Sequence, residues 1–241
     1  MKTKSWHRTI GAWLFLPVLY LALQTNAPIW FLLSAIVYMC FALTMTVGYH
    51  RLFTHNAFTC SKVWHYIFGF IGSANLSSSP VQWSAVHTEH HIYSDTDKDP
   101  YDSSYRYFLR FREGNTVKPS KNEARLLRDP MHKFFFNHSL SVALGMAFIL
   151  GLINWNLLLF GYLLPTTAFL VACGLHTIFA HGKESVRNLW IMEFIVPMAG
   201  EWLHKAHHER PRQNVYNDKP YYIDLGGLLI KLIRNDSKSA A

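Results

Sequence analysis

Charge is scarce in this sequence. Charged residues fill 16% of its 241 positions, against about a quarter in soluble domains, and four long stretches hold none: Thr9 to Leu23, Ile29 to Tyr49, Ser139 to Ile153 and Leu157 to Leu175. Half of the chain is apolar and 15% is aromatic, so an ordinary water-soluble domain is excluded. Cysteine is nearly missing. Cys40, Cys60 and Cys173 are odd in number and have no C-x-x-C spacing, which excludes a disulfide framework and a zinc knuckle. The first apolar run lacks a signal-peptide ending, because Gln24 to Pro28 has no small-x-small pattern. Acids are the rarer charge, 15 against 23 Lys and Arg, and where the basic excess lies decides what it means.

Ile29 to Tyr49 holds 21 residues, enough at about 1.5 Å per residue to cross a hydrocarbon core of about 30 Å. Thr9 to Leu23 is barely long enough, and the uncharged Gln24 to Pro28 joins the two as a helical hairpin. Ser139 to Ile153 and Leu157 to Leu175, linked by Asn154-Trp155-Asn156, make a second hairpin. Val63 to Trp83 is apolar but interrupted by Gly69, Gly72, Asn75 and Pro80, which suits an interfacial or partly buried segment. Of the basic residues, 3 lie in the N-terminal arm, 11 in His50 to Asn137 and 9 in Gly182 to Ala241, and the hairpin turns hold none. The positive-inside rule makes those three segments cytoplasmic. The expectation is an all-α integral membrane protein, one domain over 1–241. Its four transmembrane helices (about 9–23, 29–49, 139–153 and 157–175) form two hairpins under a cytoplasmic helical cap built from 50–137 and 182–241, with both termini and the active site cytoplasmic. A basic excess on one membrane side points to membrane lipids and excludes nucleic acid as its partner.

Histidine is plentiful, with 14 residues. His87, His90 and His91 stand at i, i+3 and i+4, and His204, His207 and His208 repeat the spacing. On a helix turning about 100° per residue, each trio falls within an arc of roughly 100°, as shared metal ligation requires. His50 and His55 end the second apolar run. At i, i+5 they stand about 140° apart on a straight α-helix, so they reach one centre only if the helix ends or bends between them. Eight imidazoles exceed the needs of one ion, so two metals are expected; imidazole suits zinc, copper, iron or nickel. A metal transporter or sensor would place ionisable residues at mid-membrane, whereas here the spans carry no charge and His176 stands only near a span end.

The segments HRLFTH (His50 to His55), HTEHH (His87 to His91) and HKAHH (His204 to His208) resemble the three histidine boxes of the membrane-bound fatty acid desaturases, of the stearoyl-CoA (acyl-CoA delta-9) type. The flanks agree: Gly48 and Arg51-Leu52, Trp83, Ser94 to Pro100, Gly200-Glu201, and Tyr221-Tyr222-Ile223-Asp224. The resemblance runs from about Ile29 to Arg234 and implies an enzyme with two iron ions. With O2 and two electrons it would take two hydrogens from adjacent carbons of a saturated fatty acyl chain, acyl-CoA or lipid-linked, giving a cis monounsaturated product and water. It implies metal ligation by His50, His55, His87, His90, His91, His204, His207 and His208, with a ninth ligand past the fourth span, where His181 fits better than His176. Beyond the metal centre no catalytic side chain is implied. Asp95, Asp97, Asp99, Glu89 and Glu201 are candidates to orient ring nitrogens, and Trp83 belongs to the same surroundings. Tyr38, three turns or about 18 Å before His50, is the expected stop of an acyl tunnel. Thr88 and Lys205 depart from the usual box residues, at positions facing away from the histidines. Electrons are expected from a separate donor, a ferredoxin, cytochrome b5 or reductase. An acyl-lipid desaturase or a fatty acyl hydroxylase would use the same residues.

Overall fold

Start and stop signals divide the apolar runs into helices. The computed structural model describes residues 6–94, 96–101, 104, 108, 119–181, 186–216 and 219–235, with only the backbone of 6–8. Asp95 lies outside the described residues. Helices α1 (Trp6–Trp13) and α2 (Phe15–Leu23) meet at a turn at Leu14. Helix α3 (Ile29–Leu43) runs without interruption into a π-helix, Thr44–Thr54. Then come α4 (Lys62–Ala74), α5 (Pro80–Tyr93), α6 (Lys121–Leu127) and α7 (Pro130–Ile153). Helix α8 (Trp155–Leu158) leads through a π-turn, Leu159–Leu163, into α9 (Leu164–Ala180). A 3-10 turn (Trp190–Phe194), α10 (His204–Glu209) and α11 (Leu225–Ile233) complete the chain. Among the described residues the only β pairing is isolated bridges.

Among the described residues three helices are long and apolar enough to cross a membrane: Ile29–Thr54, Pro130–Ile153 and Trp155–Ala180. The boundaries differ from those expected. Thr9–Leu23 is a shorter apolar helix, covering at 1.5 Å per residue only about 23 Å. The second run continues past Tyr49 because His50, Arg51 and Thr54 are buried inside protein, where polar groups find partners. The third begins at Pro130, not at 139. Asp129 caps it by accepting from Met131 N–H, and Pro130 takes the first helical position, a start signal that a hydropathy boundary passes over. Residues 130–137 therefore belong to this helix. The outer face of α7 is bare, with Leu144, Phe148, Ile149, Leu152 and Ile153 all exposed.

The interrupted apolar segment before the second histidine cluster becomes two helices. Leu76 and Ser78 take positive φ between them. Ser79 then starts α5 with a capping box to Gln82. Helix α4 lies across both α7 and the π-helix, α5 packs on the π-helix, and α9 packs against α3. Close approach is what glycine provides at the α4 crossing: a Cβ on Gly48 would stand 2.5 Å from Phe68 Cβ. The main core gathers Phe41, Val47, Tyr49, Phe53, Trp83, Phe169 and Trp202. A second cluster, Val18, Ala22, Leu159, Phe160 and Leu164, ties α2 to the π-turn near the hairpin ends.

Candidate metal centre

The π-helix resolves the His50/His55 spacing. With about 4.4 residues per turn, residues five apart stand only about 50° apart. His55 N–H closes the turn on His50 C=O at 3.1 Å, and the two rings stand 5.0 Å apart. Both side chains thus face one point without the helix ending between them.

Nine histidines converge in two groups. His50, His55, His87, His91 and His207 offer ligand atoms all within 4.8 Å of one another, and so do His90, His181, His204 and His208. The H-x-x-H-H spacing explains the division. On a helix, i and i+4 lie about 40° apart while i+3 falls on the other side of i, about 60° away. Helix α5 therefore gives His87 and His91 to the first group and His90 to the second. Helix α10 does the reverse, giving His204 and His208 to the second group and His207 to the first. His181 joins from the end of α9. His176 lies outside both groups, with its Nε2 2.9 Å from the Glu201 carbonyl.

Ring-nitrogen contacts show what this arrangement lacks by itself. His50 Nε2 is 2.9 Å from His207 Nε2, which is 2.8 Å from His91 Nε2; His204 Nε2 is 2.7 Å from His181 Nε2. His50 directs Nδ1 at the Glu201 carboxylate, 2.7 Å away, so its proton sits there and Nε2 presents a lone pair. His90 likewise faces Asp99 through Nδ1 at 2.9 Å, leaving a buried Nε2 with no hydrogen-bond partner, as His55 does. Buried lone pairs without donors are costly, and a cation in each group would satisfy them. Metal–imidazole bonds of about 2.0–2.1 Å place neighbouring ligand nitrogens about 2.8–3.4 Å apart in octahedral or tetrahedral arrangements, close to the contacts observed. The residues present therefore fit a metal in each group.

Electrostatics keeps the rings in the ligating form. Burial, reinforced by neighbouring imidazoles, holds His91 and His181 down at about 3 and His208 at about 2. The same causes lower His55, His87, His204 and His207, so all are neutral near pH 7, as metal binding requires. Burial alone would raise the Glu201 carboxyl, but His50 beside it, and then Arg51, hold it down at about 2. Glu201 stays ionised and also accepts a hydrogen bond from Thr46.

The orienting partners are partly those expected. Glu201 and Asp99 each bond a histidine, and Trp83 stacks on His87 with ring centroids 4.6 Å apart. Asp97 is exposed on a turn and bonds no histidine, because the turn after α5 brings Asp99 inward. One oxygen of Glu89 is buried without a partner. Tyr38 packs edge-on against Phe169 at 6.0 Å, its hydroxyl 3.9 Å from Met198 Sδ.

Several supports escape sequence reading. Tyr216 places its hydroxyl 2.8 Å from His207 Nδ1, and Tyr101 places its own 3.3 Å from His87 Nδ1. Arg51, fully buried, forms a two-pronged pair with Asp224 at 2.9 and 3.0 Å and lies 4.1 Å over the Tyr216 ring. Asp224 also accepts from Tyr216 and Gly227 backbone N–H groups. Gly200, at φ +106°, lets the strand of chain before α10 pass against Asp224. Asp224 stood in the expected flank without a role, and Tyr216 had no signal at all.

No protein-family model matches the chain. Curated relatives do. The sn-1 stearoyl-lipid 9-desaturase of Anabaena variabilis is 24% identical over 209 residues, 80% of this chain and 75% of the relative. The acyl-CoA desaturase 1 of Saccharomyces cerevisiae is 25% identical over 262 residues, 95% of this chain but 51% of the relative. The probable acyl-CoA desaturase of Schizosaccharomyces pombe is 35% identical over 127 residues, 49% of this chain and 26% of the relative. The chain thus spans about half of the first yeast protein and a quarter of the second. Its named relatives are fatty acid desaturases, hence oxidoreductases, and their similarity supports placing this chain with the desaturase family.

Proposed function

We propose that this protein carries out O2-dependent desaturation of a saturated fatty acyl chain at a di-iron centre, on an acyl-CoA and at the delta-9 position. The observation that carries the reading is the pair of histidine groups, five and four residues, with ligand atoms within 4.8 Å in each. An unactivated methylene has no acidic proton or leaving group, so side-chain acid–base chemistry does not suffice; iron with O2 supplies the oxidant. His50, His55, His87, His91 and His207 would hold one iron, and His90, His181, His204 and His208 the other. Glu201 and Asp99 keep protons on the Nδ1 atoms of His50 and His90, which directs both Nε2 lone pairs inward.

The single domain spans 1–241, with Thr9–Leu23 as a fourth, shorter membrane segment and the histidine groups on the cytoplasmic side. Reducing equivalents come from a separate donor. The relatives named for lipid-linked substrates, such as the Anabaena enzyme, favour an acyl-lipid substrate as the second reading.

Expression in bacteria without an oxygen-dependent desaturase, followed by mass spectrometry of fatty acid methyl esters, tests the reaction. A monounsaturated product that needs O2 and is lost in His90→Ala supports it and locates the double bond. A hydroxylated product, or none from folded, iron-loaded protein supplied with a reductase, overturns it. Tyr38 is the proposed stop for the acyl chain, between α3 and α9. Tyr38→Ala should shift products towards longer substrates in the same assay; an unchanged chain-length distribution removes Tyr38 from that role.

A further inference from the structure

Away from both histidine groups, a cleft of about 550 Å³ opens between the start of α4 and the α6–α7 junction, its polar lining led by Lys62, His65, Arg125, Arg128, Asp129 and His132. Leu52, near the end of one candidate span, and Pro130, at the start of another, also line it. The cleft therefore sits where two helices long and apolar enough to cross a membrane end.

His132 is buried, 1% exposed, and its Nδ1 has no hydrogen-bond partner. Its Nε2 lies 3.4 Å from His65 Nδ1. When His65 donates in that pair, the His132 proton sits on Nδ1, a buried donor that requires an acceptor. Cations surround it. Arg128 and Lys62 are exposed at the rim, and Arg125 commits one nitrogen, Nη2, to Asn56 and Asn122. The carboxylate of Asp129 is already engaged. One oxygen accepts from Lys62 at 3.2 Å and Tyr66 at 3.3 Å, and the other caps α7.

We propose that this cleft binds a phosphate group, with Arg125 and Arg128 as charged donors and His132 Nδ1–H as the buried one. Guanidinium forks match phosphate oxygens, and basic pockets between membrane helices hold headgroup phosphates. A phospholipid headgroup and the phosphates of coenzyme A present the same chemistry. The assignment is independent of whether the metal centre desaturates.

The test is calorimetric titration of the full-length protein in neutral detergent with three probes: coenzyme A, dihexanoyl phosphatidylglycerol, and dihexanoyl glycerol, which lacks the phosphate. Wild type should bind a phosphate-bearing probe and ignore dihexanoyl glycerol. The double variant Arg125→Gln/Arg128→Gln, checked for unchanged metal content, should bind at least about tenfold more weakly. His132→Phe, matched in shape, should weaken the same probe. Binding of coenzyme A alone assigns the cleft to the acyl carrier, and binding of phosphatidylglycerol alone assigns it to the bilayer. Failure of both phosphate probes on wild type, or wild-type affinity in the double variant or in His132→Phe, overturns the proposal.

Discussion

His207→Ala should abolish product formation and remove the metal of the first histidine group while sparing that of the second. His207 Nε2 lies 2.9 Å from His50 Nε2 and 2.8 Å from His91 Nε2, so it stands between ligands delivered by two other elements. Alanine removes one ligand and the contact that draws the other two together. The loss should exceed the roughly 10–100-fold that removal of an outer partner costs. Tyr216→Phe sets the contrast. It deletes only the hydroxyl 2.8 Å from His207 Nδ1, and should lower activity by about tenfold with metal still bound. Metal analysis beside product assay checks both. Equal loss of both metals in His207→Ala would mean that the two groups fill as one unit, and full activity would remove His207 from the centre.

Asp224→Ala should strongly destabilise the protein. Arg51 is 0% exposed, and without Asp224 its guanidinium is a buried charge that keeps a hydrogen bond to the Asn214 carbonyl at 3.0 Å and the Tyr216 ring face but no paired carboxylate. Breaking one partner of such a pair costs about 3–5 kcal/mol. The same carboxylate caps α11 through Gly227 N–H and fixes Tyr216 through its backbone, so the change also loosens the hydroxyl that orients His207. Thermal unfolding in detergent should show Tm lower by roughly 10 °C. Asp224→Asn, which keeps the side-chain oxygen for capping, should lose less. An unchanged Tm in Asp224→Ala would show that Arg51 finds water or another acceptor.

The histidine faces were legible because α5 and α10 are regular helices, and i, i+3, i+4 spacing maps directly onto direction. The same regularity failed at His50 and His55, where one extra residue per turn in Thr44–Thr54 changes the angle and no sequence rule marks π geometry. Asp99, not its neighbour Asp97, reaches His90 because the turn after Tyr93 decides which carboxylate points inward. Tyr101 and Tyr216 come from irregular segments, and nothing in their spacing announces a partner in α5 or α10. The start of α7 was written in Asp129-Pro130, but hydropathy placed the boundary at Ser139 because residues 131–138 mix polar with apolar side chains. His132 in that stretch lines the cleft.

Nine histidines in two separate groups should hold two metals, an expectation open to direct measurement. Its most direct test is metal stoichiometry with Mössbauer spectroscopy on protein produced with isotopically enriched iron and purified in detergent. Two irons per chain are expected, in nitrogen-rich sites, falling to one in His207→Ala and likewise in His204→Ala, each variant losing a different site. One iron or none per chain in folded wild type after anaerobic iron loading, or a single site that either variant removes completely, would contradict it.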